Sequence, residues 1–492
     1  MKSLTKINNN GPEALLLLAA VFAFSQKRKV KLYLVGGFLR DIVLKRQKRE
    51  PDIDFAIKNN AIGFGRQLAK QIKAGFVVLD KEHGCCRLVK KLNQAVYTLD
   101  FTDFRGKDLK DDLSHRDFTI NCLALDLKDA LQRGDFTSCL IDPLSGQKDL
   151  KTGLIKLAKA SAYDEDPLRI LRAFSLSAAF NFKIEKNTLA LIKKKAKKLA
   201  AVSFERIRDE LFKILACRDS SRFIVKLDRL KILPLIIPEI EKMRGVYQGP
   251  YHHLDVLKHS FETLRQLEIV LEEYAKNQEV NIYLDKYIAA SRQRRQLLKL
   301  AAFLHDIGKP AAKRRVAQKT IFHGHERIGS GISKEIVKRL KLSNDELFAL
   351  QKMVFLHLRP GYMAGSAIPS RRAKFRFFRD AGEEAVSVFL LSLADQRSTC
   401  GRLATKQSHL KHEKAVAGLI KEYFVRSQEK KIIRLVNGDQ LMAKFGLKPG
   451  PLVGKILSQI EELQALGKVR TREEAFSAGN KLLLKLKGAS RA

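Results

Sequence analysis

Short apolar runs with polar residues set between them, closed by glycine or lysine-rich breaks, fill the first hundred positions of the chain. Val30–Val35 is β-rich and partly alternating, and Asp52–Ile57 is a second such run, so both read as strands. A helical period covers Phe64–Lys73, followed by strand-like runs at Phe76–Leu79, Arg87–Val89 and Ala95–Phe101. The helical period returns over Asn187–Leu227, lysine-rich on one side, and again up to Leu466. The expected class is α+β: a small mixed-sheet head, then a mostly all-α remainder. Ala14–Phe24 is apolar after Lys2 and Lys6, like a signal-peptide core, but it is too short for a bilayer and lacks a convincing cleavage site. It reads as a buried helix leading into the first strand. No other stretch could span a membrane.

Composition changes this picture in one respect. A chain of 492 residues should hold about three domains, and a 45% hydrophobic content suffices for their cores. Its 93 Lys and Arg against 53 Asp and Glu leave a net charge of +40. A polyanion partner follows, nucleic acid being the commonest, although a merely lysine-rich lineage would give the same count. The cysteines, Cys85, Cys86, Cys122, Cys139, Cys217 and Cys400, show no Cys-x-x-Cys spacing and read as free thiols of a reducing cytosol. A cytoplasmic location is therefore expected.

The candidate chemistry begins at Leu34–Asp41, where Gly36-Gly37 makes a turn suited to glycine after the first strand. Backbone N–H groups there can approach a triphosphate, and Arg40 lies one helical turn on, within reach of a phosphate. Asp52 and Asp54, two apart in a strand, share one face about 7 Å apart. Paired oxygen ligands suit Mg²⁺ bridging a nucleoside triphosphate, whereas an isolated Asp-x-Asp would ordinarily be two solvated acids. Asp100, in a later strand, supplies a third carboxylate able to help activate a 3′-hydroxyl. Farther on come Ser114-His115-Arg116-Asp117-Phe118-Thr119-Ile120-Asn121 and Asp164-Glu165-Asp166-Pro167-Leu168-Arg169-Ile170-Leu171-Arg172. Pro167 fits the first turn of a helix, which would put Asp166, Arg169 and Arg172 close to one face.

In this order, over roughly residues 34 to 240, the motifs resemble those of the class II nucleotidyltransferases, comprising tRNA nucleotidyltransferases and bacterial poly(A) polymerases. The resemblance implies a polymerase-β-like head, a helical neck and transfer of C and/or A from CTP or ATP to a tRNA 3′ end, with release of pyrophosphate. It implies that Asp52 and Asp54 hold Mg²⁺, that Asp100 assists the 3′-hydroxyl, and that Gly36, Gly37, Arg40, Arg116, Asp117, Asn121 and Arg172 bind the nucleotide. Asp166 and Arg169 would read the base. His115 stands where the family has an Arg, and Ser175 where it often has a further Arg. Full CCA addition, CC-only, A-only and poly(A) addition stay open, as does the oligomeric state.

A second constellation follows: His252-His253, His259, Leu304-His305-Asp306-Ile307-Gly308-Lys309, His323-Gly324-His325, His357 and Asp395. Imidazoles with a bridging Asp bind a transition metal or Mg²⁺. The pattern resembles the HD phosphohydrolase domain, which implies a divalent-metal site at His259, His305, Asp306 and Asp395, extended by His325 and His357. The metal's identity stays open. The segment from Gly438, with Gly446-Leu447-Lys448-Pro449-Gly450-Pro451 before a helix, is similar to the tRNA-contacting C-terminal region of such enzymes, and Lys481–Arg491 reads as a frayed basic end. The expected boundaries are an N-terminal helix at 1–30, the head at 31–150, the neck at 151–244, the HD domain at 245–425 and the tail at 426–492. Two competing readings are an HD phosphohydrolase whose head only binds nucleotide, and a non-catalytic RNA-binding protein.

Overall fold

The computed structural model describes residues 11–46, 52–93, 95–133, 136–289, 291–317, 319–365, 369–428 and 433–489. Lys2 and Lys6 lie outside them. The chain forms two compact units, Met1–Cys217 with Leu230–Leu235, and Arg218–Arg229 with Ile236–Ala492.

The first unit is built on six strands: β1 (Leu32–Val35), β2 (Asp52–Ile57), β3 (Gly75–Asp80), β4 (Cys85–Leu92), β5 (Ala95–Asp103) and β6 (Ala124–Asp126). They lie in the order β3-β4-β5-β2-β1-β6. Neighbours are antiparallel except β2 and β5, which run parallel with Asp54 opposite Asp100. Alternation sorts the side chains. Ile53, Phe55, Leu99 and Phe101 are buried on one face, leaving Asp52, Asp54 and Asp100 on the other. Phe55 stacks on Phe101 at 4.7 Å, and Phe64 of the helix Ala61–Ile72 closes on Phe101 at 5.4 Å. The apolar run near the N-terminus is a helix, Gly11–Lys27, buried along Ala14, Leu17, Leu18, Val21 and Phe24, the spacing of a single helical face.

The unit's later part is helical, including Arg169–Phe180, Lys186–Lys195 and Phe204–Ala216. Here one expectation is corrected. Asp166 is not on the helix that carries Arg169 and Arg172. A short helix, Ala162–Glu165, ends at Asp166, whose backbone is extended, and the next begins at Arg169. The residue before a proline is disfavoured in the α region, so Pro167 interrupts the helix instead of opening it at Asp166. Asp166 Oδ1 accepts from the Leu168 N–H at 3.2 Å, which fixes the break.

In the second unit the helices Val256–Glu273, Arg294–Leu304, His325–Arg339, Asn344–Leu356 and Ala385–Ser398 surround an apolar core. Ala385–Leu391 is buried at every position, so this helix is central. A buried ion pair, Lys299–Glu268 at 3.0 Å, is completed by the hydroxyls of Ser220 and Ser221 donating to Glu268. The C-terminal helices Gly438–Phe445, Pro451–Ala465 and Arg472–Ala489 share their own core of Leu441, Ile456, Ile460, Ala475 and Leu483. The expected frayed end is instead helical to Ala489, and Ser490–Ala492 lie outside the described residues. Among the described residues no helix is long and apolar enough to cross a membrane.

Candidate active sites

The first site sits where β1 turns into the helix Gly37–Val43. Gly36 has φ +75°, and a Cβ there would lie 2.9 Å from Asp54 Oδ2, so both conformation and close approach demand glycine. Behind this turn is a cavity of about 350 Å³. Gly36, Gly37, Asp54, Arg116, Asp117, Asn121, Asp166, Arg169 and Arg172 all line it. Residues as far apart in the chain as Gly36 and Arg172 thus converge. Asp52 and Asp100 flank Asp54 on the same sheet face, where Asp52 accepts from the Thr98 hydroxyl.

Several of these charges have defined partners. Asp117 is buried; its Oδ1 accepts from the Phe118 N–H at 2.7 Å and Asn121 Nδ2 at 2.9 Å, and its Oδ2 pairs with Arg172 Nε at 2.8 Å. Burial pushes its pKa up, but Arg172, Asn121 and the Phe118 N–H together hold it below the ordinary carboxylate value. Arg169 donates to the carbonyl of His115 at 2.8 Å, so that residue acts here through its backbone while its imidazole lies against Asp111. Arg116 Nη2 reaches Asp112 at 3.2 Å, and its buried Nε has no hydrogen-bond partner. Asp54 is pushed up to about 6 by burial and by the neighbouring charges of Asp100 and Asp52, against the pull of Arg116 and Arg172. Three mutually repelling carboxylates beside an arginine cluster are a donor set that fits a hard divalent cation.

Arg40 is the expected site residue found elsewhere. It is buried, donates to Asp41 at 3.0 and 2.9 Å and to Asn121 Oδ1 at 2.7 Å, and stacks on Phe180 at 4.5 Å. It does not line the cavity; it braces Asn121, which does. Sequence reasoning gave no role to Arg105 and Arg206, which line the cavity, or to Arg87, which pairs with Asp100. Arg206 Nη2 holds Asp166 Oδ2 at 2.8 Å. None of the three belongs to a distinctive local motif; only the register of Arg87 opposite Asp100 could have marked it. At the Ser175 departure, the hydroxyl donates to buried Glu210, which Lys213 also pairs at 2.7 Å.

The second site is in the second unit. His259, His305, Asp306, His325, His357 and Asp395 converge as expected. Asp306 is central: its Oδ2 lies 3.2 Å from His305 Nε2 and 3.5 Å from His259 Nε2. Its Oδ1 lies 3.2 Å from His325 Nε2 and 3.8 Å from His357 Nε2. Asp395 Oδ1 is 3.0 Å from His259 Nε2. The Nδ1 atoms of His305, His325 and His357 meet the carbonyls of Ala302, Phe322 and Val354 at 2.7–2.9 Å, which turns each Nε2 inward. His305 Nε2 and both oxygens of Asp306 are buried and make no well-aligned hydrogen bond; they meet one another, His325 and Lys309 only as charge contacts, an arrangement that suits atoms aimed at a metal. The group therefore fits a divalent cation, or two sharing Asp306. Gly308 is needed for packing, because a Cβ there would lie 2.1 Å from the carbonyl of His325. A cavity of about 320 Å³ opens onto Asp306 and Asp395 and is also lined by His252 and Lys309, to which the sequence gave no role. Lys309 Nζ lies 2.6 Å from Asp306 and donates to Gln248 at 2.7 Å.

Comparison with known proteins gives four domain matches in chain order. Residues 32–156 match the Poly A polymerase head domain, and 181–243 the RNA and SrmB-binding site of polymerase A. Residues 256–400 match the HD domain, and 406–478 the tRNA nucleotidyltransferase domain 2. The A-adding tRNA nucleotidyltransferase of Deinococcus radiodurans is 32% identical over 90% of this chain and 93% of its own. The CC-adding tRNA nucleotidyltransferase of Geobacter sulfurreducens is 29% identical over 90% of each chain. The fold is that of the Thermotoga maritima CCA-adding enzyme solved in complex with tRNA, with a TM-score of 0.58 at 23% identity, covering 99% of this chain and 98% of that one.

Proposed function

The chain belongs to the tRNA nucleotidyltransferase family, an enzyme family, and from that premise we propose that it extends tRNA 3′ ends with C and/or A from CTP or ATP, without a template. The observation that carries this reading is the arginine-lined cavity abutting Asp54 on the face it shares with Asp52 and Asp100. The triphosphate lies against Arg116 and Arg172 and the N–H groups after Gly36. The acceptor's 3′-oxygen bonds to the α-phosphorus, the bond from that phosphorus to the bridging oxygen breaks, and pyrophosphate departs. The hydroxyl proton passes to Asp100. Asp52 and Asp54 would hold Mg²⁺, which would supply polarisation of the phosphoryl oxygens. Asp166, held by Arg206, accepts from the base's exocyclic amine, and Arg169, fixed by the His115 carbonyl, donates to the base edge.

The HD centre is a metal-dependent phosphohydrolase site for phosphate esters at RNA ends, with Lys309 and His252 facing the ester. The setting is the cytoplasm, where free thiols and tRNA coexist.

A second reading, addition of A alone, is favoured by the full-length likeness to an A-adding enzyme. A primer assay separates the readings. Transcripts ending at the discriminator base, at C and at CC are given labelled CTP, ATP or both. Two C and one A, then a stop, mean complete CCA addition; A on the CC-ended transcript alone means the A-only enzyme. Incorporation that survives Asp52→Ala would refute the assignment of the head as the polymerising centre.

A further inference from the structure

Arg87 clasps Asp100 with both arms of its guanidinium, Nε donating to Oδ1 at 2.8 Å and Nη2 to Oδ2 at 2.7 Å. Both oxygens of the acid nearest the expected 3′-hydroxyl are therefore engaged. Arg87 differs in origin from the arginines of the nucleotide cavity. It comes from β4, on the opposite side of Asp100 from β2, β1 and the Gly36 turn. No residue of β3 or β4 lines that cavity.

An in-line displacement brings the attacking oxygen from the side opposite the departing pyrophosphate. With the triphosphate against the Gly36 turn, the acceptor must arrive over β5 and β4. The surface there suits a nucleotide. Val77 is opposite Arg87 in register and 51% exposed, and Val89, two residues along, is 36% exposed. Aliphatic side chains thus flank a single guanidinium on the face that carries the acids. The Arg87–Asp100 pair is itself open to solvent on the arginine side, so a competing anion can reach the guanidinium. A guanidinium fork meets a phosphate as well as it meets a carboxylate.

We infer that Arg87 positions the acceptor: it exchanges Asp100 for the phosphodiester preceding the terminal ribose, with the terminal nucleotide lying over Val77 and Val89. Asp100 is then released to the 3′-hydroxyl only when an RNA end is seated. The inference rests on the nucleotidyl-transfer reading above and deepens it.

The test is a chemical double-mutant cycle. Wild type, Arg87→Leu and Arg87→Lys are given acceptor RNA whose last internucleotide linkage is either a phosphate or a neutral methylphosphonate. In the wild type the methylphosphonate raises the acceptor KM roughly ten- to a hundredfold, with a smaller effect on kcat. Arg87→Leu shows a similar rise on natural RNA and no further penalty from the methylphosphonate. Arg87→Lys keeps the charge without the fork and falls between. Nucleotide affinity measured without RNA stays at the wild-type value in all three. A methylphosphonate penalty equal in wild type and Arg87→Leu would overturn the inference, as would a fall in kcat with the acceptor KM untouched, since Arg87 would then only brace Asp100. If wild type incorporates nothing into either RNA, the nucleotidyl-transfer reading itself fails and takes the inference with it.

Discussion

Asp54 is where pH acts on the head. Its carboxyl titrates near 6, above the ordinary value, so it loses charge as pH falls through that range. On the proposed reading the charged form would hold the metal, so kcat/KM for nucleotide should fall on the acid side with a midpoint near 6. Higher Mg²⁺ should move that midpoint downward, because cation and proton compete for the same oxygens. The same shift has a stability sign. A folded-state pKa above the unfolded one means the ionised group costs stability at neutral pH and stops doing so below the unfolded value. Asp54→Asn should therefore be inactive yet melt at a higher temperature than the wild type at pH 7, as calorimetry would show. In the HD centre, burial lowers the His305 pKa, but Asp306 and Asp395 more than reverse this and hold it up to about 10. A metal bound through His305 must displace that proton. Calorimetric titration in buffers of different ionisation enthalpy should show proton release at pH 7 and tighter binding at higher pH.

At the scale of elements, Ser175 ties the helix Arg169–Phe180 to Phe204–Ala216 through Glu210. Ser175→Ala leaves a buried carboxylate one donor short, with Lys213 still in place, and should cost about 1–3 kcal/mol by denaturant unfolding. The break at Asp166-Pro167 makes a different prediction. Pro167→Ala permits a continuous helix and turns Asp166 away from Arg206, so the CTP-to-ATP incorporation ratio should change more than the summed rate. Five strands of the head were legible as β-rich, partly alternating runs, and the Asp52–Ile57 strand has the bounds expected, whereas the three-residue edge strand Ala124–Asp126 is too short to show a period. The helix break was signalled by Pro167 but misread, since proline suits both a first turn and an interruption. Arg40 was misplaced for a related reason: one helical turn after a glycine pair is within reach of a phosphate, but equally of Asp41 and Asn121. The six converging residues of the HD centre could be found because their residue types are rare in apolar helices. Arg105 and Arg206, two arginines among many basic residues, could be found only through the fold.

Across the whole molecule, the excess of 40 positive charges should make tRNA affinity fall steeply with salt, linearly in logarithmic coordinates. Nucleotide affinity, set within a cavity that carries its own acids, should fall much less. Filter binding of tRNA and of labelled ATP over one salt series would compare the two slopes. Equal slopes would mean that the surface charge is not what the RNA meets.

The pairing of Asp54 with Asp100 across β2 and β5 also determines which changes in length the gene can tolerate. A strand has only two faces, so one codon inserted early in β5 would send Asp100 into the core and bring Leu99 or Phe101 out among the acids. The same codon inserted between Asp80 and Cys85 would merely lengthen a hairpin. Lineages of this enzyme should therefore differ in length at the hairpin and almost never within β2 or β5, which leaves the catalytic face a fixed ruler against which insertions elsewhere can be counted.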